Sequence, residues 1–168
     1  MSRPIQISVC GSSVSDPELD AHAAAVGRLL AEAGATLVCG GRDGIMTAAA
    51  EAAARAGGDV LGILMSEEPA DANEHCTHVV ATGIGQARTL AVAASGDAVI
   101  AIGGEWGTLS EIAFARRAGR DVIALDSWRL IGRGAMADAP GIALAADPEE
   151  AVRLALAAAA LSRGGRGA

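Results

Sequence analysis

The chain of 168 residues contains no lysine and no tyrosine, one phenylalanine and two tryptophans. Without lysine there is no amine for a pyridoxal phosphate Schiff base, and no Walker A lysine for a terminal phosphate. An anion held by a side chain here is held mainly by arginine. Aromatic residues make up 2% of a chain that is 51% hydrophobic, so the core has to be built from Ala, Val, Leu and Ile. Small side chains let helices come close to a sheet. The three cysteines, Cys10, Cys39 and Cys76, have no paired spacing, which suits a reducing compartment. Acidic residues outnumber basic ones by 20 to 13, for a net charge of −7. A nucleic-acid partner calls for a basic face, so the balance argues against one. The N-terminus lacks the basic-then-apolar pattern of a signal peptide, and the Ala-rich run 151–161 is too short to span a bilayer. A soluble cytoplasmic protein with no membrane partner is expected.

The length favours one domain. Continuous apolar runs at Ile5–Cys10, Thr36–Cys39, Val60–Met65, His78–Thr82, Asp97–Ile102, Asp121–Leu125 and Gly141–Ala145 read as buried strands. Helical stretches alternate with them. The first has Ser15 or Asp16 as cap, Pro17 in its first turn and Leu19, Ala23, Val26, Leu30 and Ala33 at helical spacing, with Gly34 as its stop. Others run to about Ala56, Ser95, Ala118 and Leu161. Strands alternating with helices imply an α/β fold: a single Rossmann-like, doubly wound parallel sheet with helices on both faces. The domain is expected over residues 1–162, with a disordered tail at 163–168. Ligands of such folds sit beyond the carboxyl ends of the strands.

Four strand ends carry glycine and small polar residues. After the first strand come Gly11 and Ser12. After the second come Gly40, Gly41 and Gly44, with Met46 opening the next helix; this is either an anion-binding turn or simply a strand-to-helix turn. GIGQAR, residues 83–88, begins like a dinucleotide fingerprint, but Arg88 stands where the third glycine belongs and no clear acidic residue stands at the end of the next strand, about twenty positions on. NAD is therefore disfavoured, and no cofactor is expected. Arg88 sits in a first helical turn, where a cation opposes the helix dipole, so it is either paired, solvated or there for an anionic ligand. In IGGEWGTLSE, residues 102–111, Gly103 and Gly104 end a strand and Gly107 and Thr108 open a helix. Thr108 and Glu111 fit a capping box; alternatively Glu111 is a carboxylate for chemistry. Glu74, His75, Cys76 and His78 are ligand-type residues, but no second cluster completes a tetrahedral site and His22 stands alone on a helix, so no metal is expected.

The ordered set Gly40-Gly41-x-x-Gly44-Ile45-Met46, Arg88 and Gly107-Thr108-x-x-Glu111 resembles the lonely guy (LOG) superfamily, often mislabelled lysine decarboxylase, which includes relatives of DNA-processing protein A. The resemblance covers roughly residues 5–125. It implies a Rossmann-like fold and cleavage of nucleoside 5′-monophosphates to free base and ribose 5-phosphate. In that reading Arg88 positions the substrate and Glu111 acts at the sugar, while Gly103, Gly104, Gly107 and Thr108 cradle the phosphate. The decarboxylase label fails independently, for want of lysine.

Two departures shift the resemblance. LOG enzymes carry Pro-Gly-Gly-x-Gly-Thr-x-x-Glu; here Glu105 falls on the second glycine, or one residue is inserted. Of the Met-His-x-Arg-Lys run only the arginine, Arg88, remains. These features look more like the branch containing molybdenum cofactor carrier proteins and bacterial nucleotide-binding proteins. Two functions are therefore expected alternatives. One is a phosphoribohydrolase with Arg88 and Glu111 as catalytic residues. The other is a non-catalytic carrier or sensor of a phosphorylated ligand such as molybdenum cofactor or a nucleotide; under either, Gly11, Ser12, Gly40, Gly41, Gly44, Met46 and Gly83 are among the binding positions. The resemblance also implies a homodimer or larger homo-oligomer.

Overall fold

The computed structural model describes residues 3–132 and 138–165. Among these residues seven strands form one parallel sheet: β1 (Gln6–Gly11), β2 (Thr36–Cys39), β3 (Val60–Leu64), β4 (His78–Ala81), β5 (Ala98–Ile102), β6 (Val122–Leu125) and β7 (Ile142–Ala145). Their spatial order is β4-β3-β2-β1-β5-β6-β7. The chain winds outward from β1 to β4, then returns to the other side of β1 through β5. The direction of winding reverses between β1 and β5, which is where such sheets open a crevice.

Among the described residues, five α-helices cover the two faces. α1 (Pro17–Glu32), α2 (Ile45–Arg55) and α5 (Pro148–Gly164) pack on one; α3 (Arg88–Ser95) and α4 (Trp106–Arg117) pack on the other. The first face buries Ile7, Val9, Leu37, Ile100 and Ile102 beneath Ala-rich helices, and the second buries Val99, Ala101 and Val122 under Ala93, Ile112 and Ala115. Among the described residues, no helix is long and apolar enough to cross a membrane.

Local signals explain where helices begin. Asp16 caps α1, accepting from the Glu18 and Leu19 amides at 3.0 and 3.1 Å, with Pro17 in the first turn. Asp147 does the same for α5, accepting from Glu150 N at 2.7 Å. α5 reaches Gly164, past the expected domain end, although its last buried residue is Ala159; in its last turn Arg163 donates to the Arg3 carbonyl, and of the expected tail, residues 166–168 lie outside the described residues. α1 and α2 meet closely at Gly27, where a Cβ would lie 2.1 Å from the Ala49 carbonyl oxygen. At the opposite end of the sheet, buried Asp97 accepts a bidentate pair from Arg3 at 2.6 and 2.9 Å, and the Gln6 amide at 3.1 Å. Burial alone would raise this carboxyl; those hydrogen bonds outweigh it and hold it below the ordinary aspartate range.

Candidate functional site

Beyond the carboxyl ends of β1, β2 and β5 lies a cavity of about 220 Å³. Its walls bring together Gly11 and Ser12 after β1, Met46 in α2, Arg88 in α3, and Gly107, Thr108 and Glu111 in α4. Ser13, Met65, Gln86, Thr89 and Glu105 complete the lining. A wider concavity of about 700 Å³ lies on the outer surface of α1 and α2, away from the strand ends, and its charged groups pair locally as Arg28–Glu32 and Arg55–Glu51.

Glycines shape the smaller cavity from behind. A Cβ on Gly11 would lie 2.1 Å from the Ile102 carbonyl oxygen, so glycine is needed for β1 to approach β5 at the crevice. A Cβ on Gly40 would fall 2.0 Å from Nη1 of Arg88, so the bare backbone after β2 leaves room for the guanidinium. Gly44 lies against Ser12 and Ser13, and Gly104 against Thr108, so both support lining residues. Gly41, Gly83 and Gly103 face Leu64, Glu67 and Leu19 respectively and do not line the cavity; they serve turns and packing.

Arg88 is 6% exposed, and its Nε and Nη1 are buried with no hydrogen-bond partner. An unmatched charge-bearing donor is expensive inside a protein, and the start of a helix is the wrong end for a cation. Both costs fall if an anion occupies the cavity.

Glu111 faces the same space. Of the two readings of Glu111, the capping box with Thr108 does not form: α4 starts one turn earlier, with Glu105 as its N-cap and Thr108 already the third helical residue. Glu111 is instead set one turn into the helix, close to Arg88 and to the buried thiol of Cys10, which donates to its carboxylate. Burial pushes the Glu111 carboxyl up to about 7, against the pull of Arg88 and the Cys10 hydrogen bond. A carboxyl titrating there can accept or donate a proton near neutrality. Cys10 escaped the sequence reading because only its register on β1 aims it at α4.

Glu105 lines the cavity mouth, and its side chain caps nothing. Trp106, 76% exposed, follows it and lies against Trp128, with ring centroids 5.4 Å apart and planes tilted by 40°. Trp128 Nε1 donates to the Glu105 carbonyl at 3.2 Å, tying the segment after β6 to the start of α4.

The bunched ligand-type residues diverge. His78 turns to Asp59 at 4.0 Å and Cys76 turns inward to Cys39. His22 is not alone, as the sequence suggested: its ring nitrogens lie with the carboxylates of Glu18 and Asp126, which the sequence separates by a hundred residues.

The fold agrees with the comparisons. LDcluster4, the SLOG cluster4 family, matches residues 4–152. The chain belongs to this family. An uncharacterized protein of Archaeoglobus fulgidus is 37% identical over 148 residues, 88% of this chain and 92% of that protein. The molybdenum cofactor binding protein of Rippkaea orientalis shares 30% identity and a TM-score of 0.83, covering 94% of this chain and 98% of its own. The molybdenum cofactor carrier protein of Chlamydomonas reinhardtii shares 27% identity and a TM-score of 0.82, covering 95% and 99%. This SLOG chain thus falls beside carrier proteins, in the branch its glycine loop resembles.

Proposed function

We propose that the chain binds a phosphorylated small molecule bearing a nitrogen heterocycle, a nucleotide or a phosphorylated pterin, as a carrier. The observation that carries this reading is Arg88: buried, unpartnered at Nε and Nη1, and lining the cavity at the sheet's switch point. The phosphate pairs with Arg88, and the small side chains and backbone of Gly11, Ser12, Gly107 and Thr108 surround it. The likeness to the molybdenum cofactor proteins of Rippkaea and Chlamydomonas supports the carrier reading. Two carboxylates and one guanidinium line the cavity, so a monophosphate suits its charge better than a polyphosphate.

A second reading is favoured by Glu111. Its carboxyl at about 7 beside Arg88 suits hydrolysis of an N-glycosidic bond, with Glu111 orienting water or stabilising the oxocarbenium ion. One experiment separates the two. The chain is incubated with a panel of nucleoside 5′-monophosphates and a phosphorylated pterin, and both thermal stabilisation and free base are measured. Stabilisation without base release is the carrier. Base release that Glu111→Gln abolishes is the hydrolase. No stabilisation by any ligand, in the wild type and Arg88→Met alike, overturns both.

A homo-oligomer belongs to the same proposal. Leu90 of α3 and Trp106 of α4 expose apolar surface on the same side of the sheet, 48% and 76% exposed. Light scattering is expected to give a multiple of 16.6 kDa; a single-chain mass overturns it.

A further inference from the structure

The carbon and sulfur positions around Gly62 bring two cysteines together that the sequence separates by 36 residues. Cys39, the last residue of β2, is paired in register with Gly62 of β3. In-register residues of neighbouring parallel strands project to the same face. Gly62 projects nothing, and the Cys76 sulfur occupies that space: a Cβ on Gly62 would lie 2.7 Å from Cys76 Sγ and 3.5 Å from Cys76 Cβ. Cys76 therefore sits where the neighbour of Cys39 would be, and packs against the same apolar cluster. Cys39 is wholly buried, whereas Cys76 reaches partly to solvent.

We propose that Cys39 and Cys76 are a reversible oxidation site that closes a disulfide in response to a hydroperoxide. Cys76 is the attacking sulfur, because it is the accessible one. The Cys39 thiol donates to it and lowers its pKa, which favours the nucleophilic thiolate. The Cys76 thiolate attacks the peroxide oxygen, breaking the O–O bond, forming a sulfenic acid and releasing an alkoxide that takes up the thiol proton. The Cys39 sulfur then attacks the sulfenic sulfur and expels water. In sum, two thiols and one hydroperoxide give one disulfide, one alcohol and one water. A disulfide in a reducing compartment is a transient, signalling one rather than a structural staple.

The pair is wired to the candidate site. Cys39 Sγ accepts the Gly41 amide at 3.4 Å. Asn73 accepts the Cys76 thiol at 3.7 Å and joins the glycine turn twice, its amide donating to the Gly41 carbonyl at 2.8 Å and its Nδ2 to the Arg42 carbonyl at 3.1 Å. Gly40, next to Cys39, is the residue whose missing Cβ makes room for Arg88. Joining the sulfurs pulls on this turn, and so weakens whatever anion Arg88 holds. This last link rests on the proposed phosphate site; the disulfide itself does not.

Peptide mapping of the full chain tests it. Trypsin can cut only at arginine, so Cys10, Cys39 and Cys76 fall in separate peptides, the latter two within 29–42 and 56–88. Treatment with equimolar hydrogen peroxide is expected to give these two joined, lighter by two hydrogen atoms and separated again by dithiothreitol, with Cys10 still a thiol. Cys76→Ser is expected to yield no linked peptide. Gly62→Ala, which displaces the Cys76 sulfur, is expected to slow linkage at least tenfold. Sulfinic acid on Cys76 without linkage, or linkage only between chains, overturns the proposal. In the second arm, the melting shift given by a stabilising monophosphate is measured before and after oxidation. A linked protein with an unchanged shift refutes the wiring alone; a reduced protein with no shift refutes the phosphate site and leaves the disulfide standing.

Discussion

Glu111 and Arg88 are an ill-matched pair, and the mismatch can be measured residue by residue. With its carboxyl raised from 4.5 to about 7, Glu111 stays protonated in the folded chain over a range where the unfolded chain has lost the proton. Its stabilising contribution is therefore complete below pH 4.5 and declines as pH rises to about 7, by on the order of 3 kcal/mol. Thermal melts from pH 5 to 8 should show a falling midpoint that Glu111→Gln flattens; parallel profiles would refute the assignment. Arg88→Met is expected to raise stability by about 1–4 kcal/mol while abolishing anion binding, since a buried cation whose Nε and Nη1 make no hydrogen bond is replaced by apolar volume. A lower melting point would mean that Arg88 is satisfied without ligand. Arg88 could be read from the sequence because a cation in a first helical turn defies local electrostatics. Glu111 could be found but not interpreted: the cap pattern at Thr108 was present, yet the helix began at Trp106, and local spacing does not reveal which turn comes first.

At the scale of elements, the alternation of apolar runs and helical stripes was enough to place all seven strands: the five inner ones are buried on both faces and read as near-continuous apolar runs, and the edge strands β4 and β7 keep apolar residues such as Val80 and Leu144 although these are exposed. The ends shifted by a residue or two, as at β5, where Asp97 lies outside the strand and turns its carboxylate to Arg3. Which helices share a face, and how near they come, could not be read, because contact between α1 and α2 depends on Gly27 meeting Ala49. That contact gives a clear expectation. Gly27→Ala gains about 1 kcal/mol of helix propensity but forces a methyl against a backbone carbonyl, at a cost of about 1–3 kcal/mol. The net effect is destabilising, measurable in urea; a more stable variant would show that the helices can part freely. Asp97 should act on the opposite side of the pH scale from Glu111. Its lowered pKa stabilises the fold above the ordinary aspartate range and is lost as pH falls through the folded value, so Asp97→Asn should blunt acid unfolding below pH 4.

For the molecule as a whole, charge and aromatic content limit what it does. A net charge of −7, with 20 acidic residues against 13 arginines, disfavours a polyanion. A labelled single-stranded oligonucleotide is expected to show no change in anisotropy with this chain at physiological salt; saturable binding would reopen a nucleic-acid role. The scarcity of aromatics has another result. With no tyrosine and a single phenylalanine, nearly all near-ultraviolet absorption belongs to Trp106 and Trp128, and these two indoles lie 5.4 Å apart at a tilt of 40°, the first next in the chain and the second hydrogen-bonded to Glu105 of the cavity lining. Coupled transition dipoles at that separation form an exciton pair, so the chain carries its own optical reporter beside Glu105 of the cavity lining. A heterocycle that slips against Trp106 would perturb that couplet directly, and circular dichroism could follow ligand entry with no label attached.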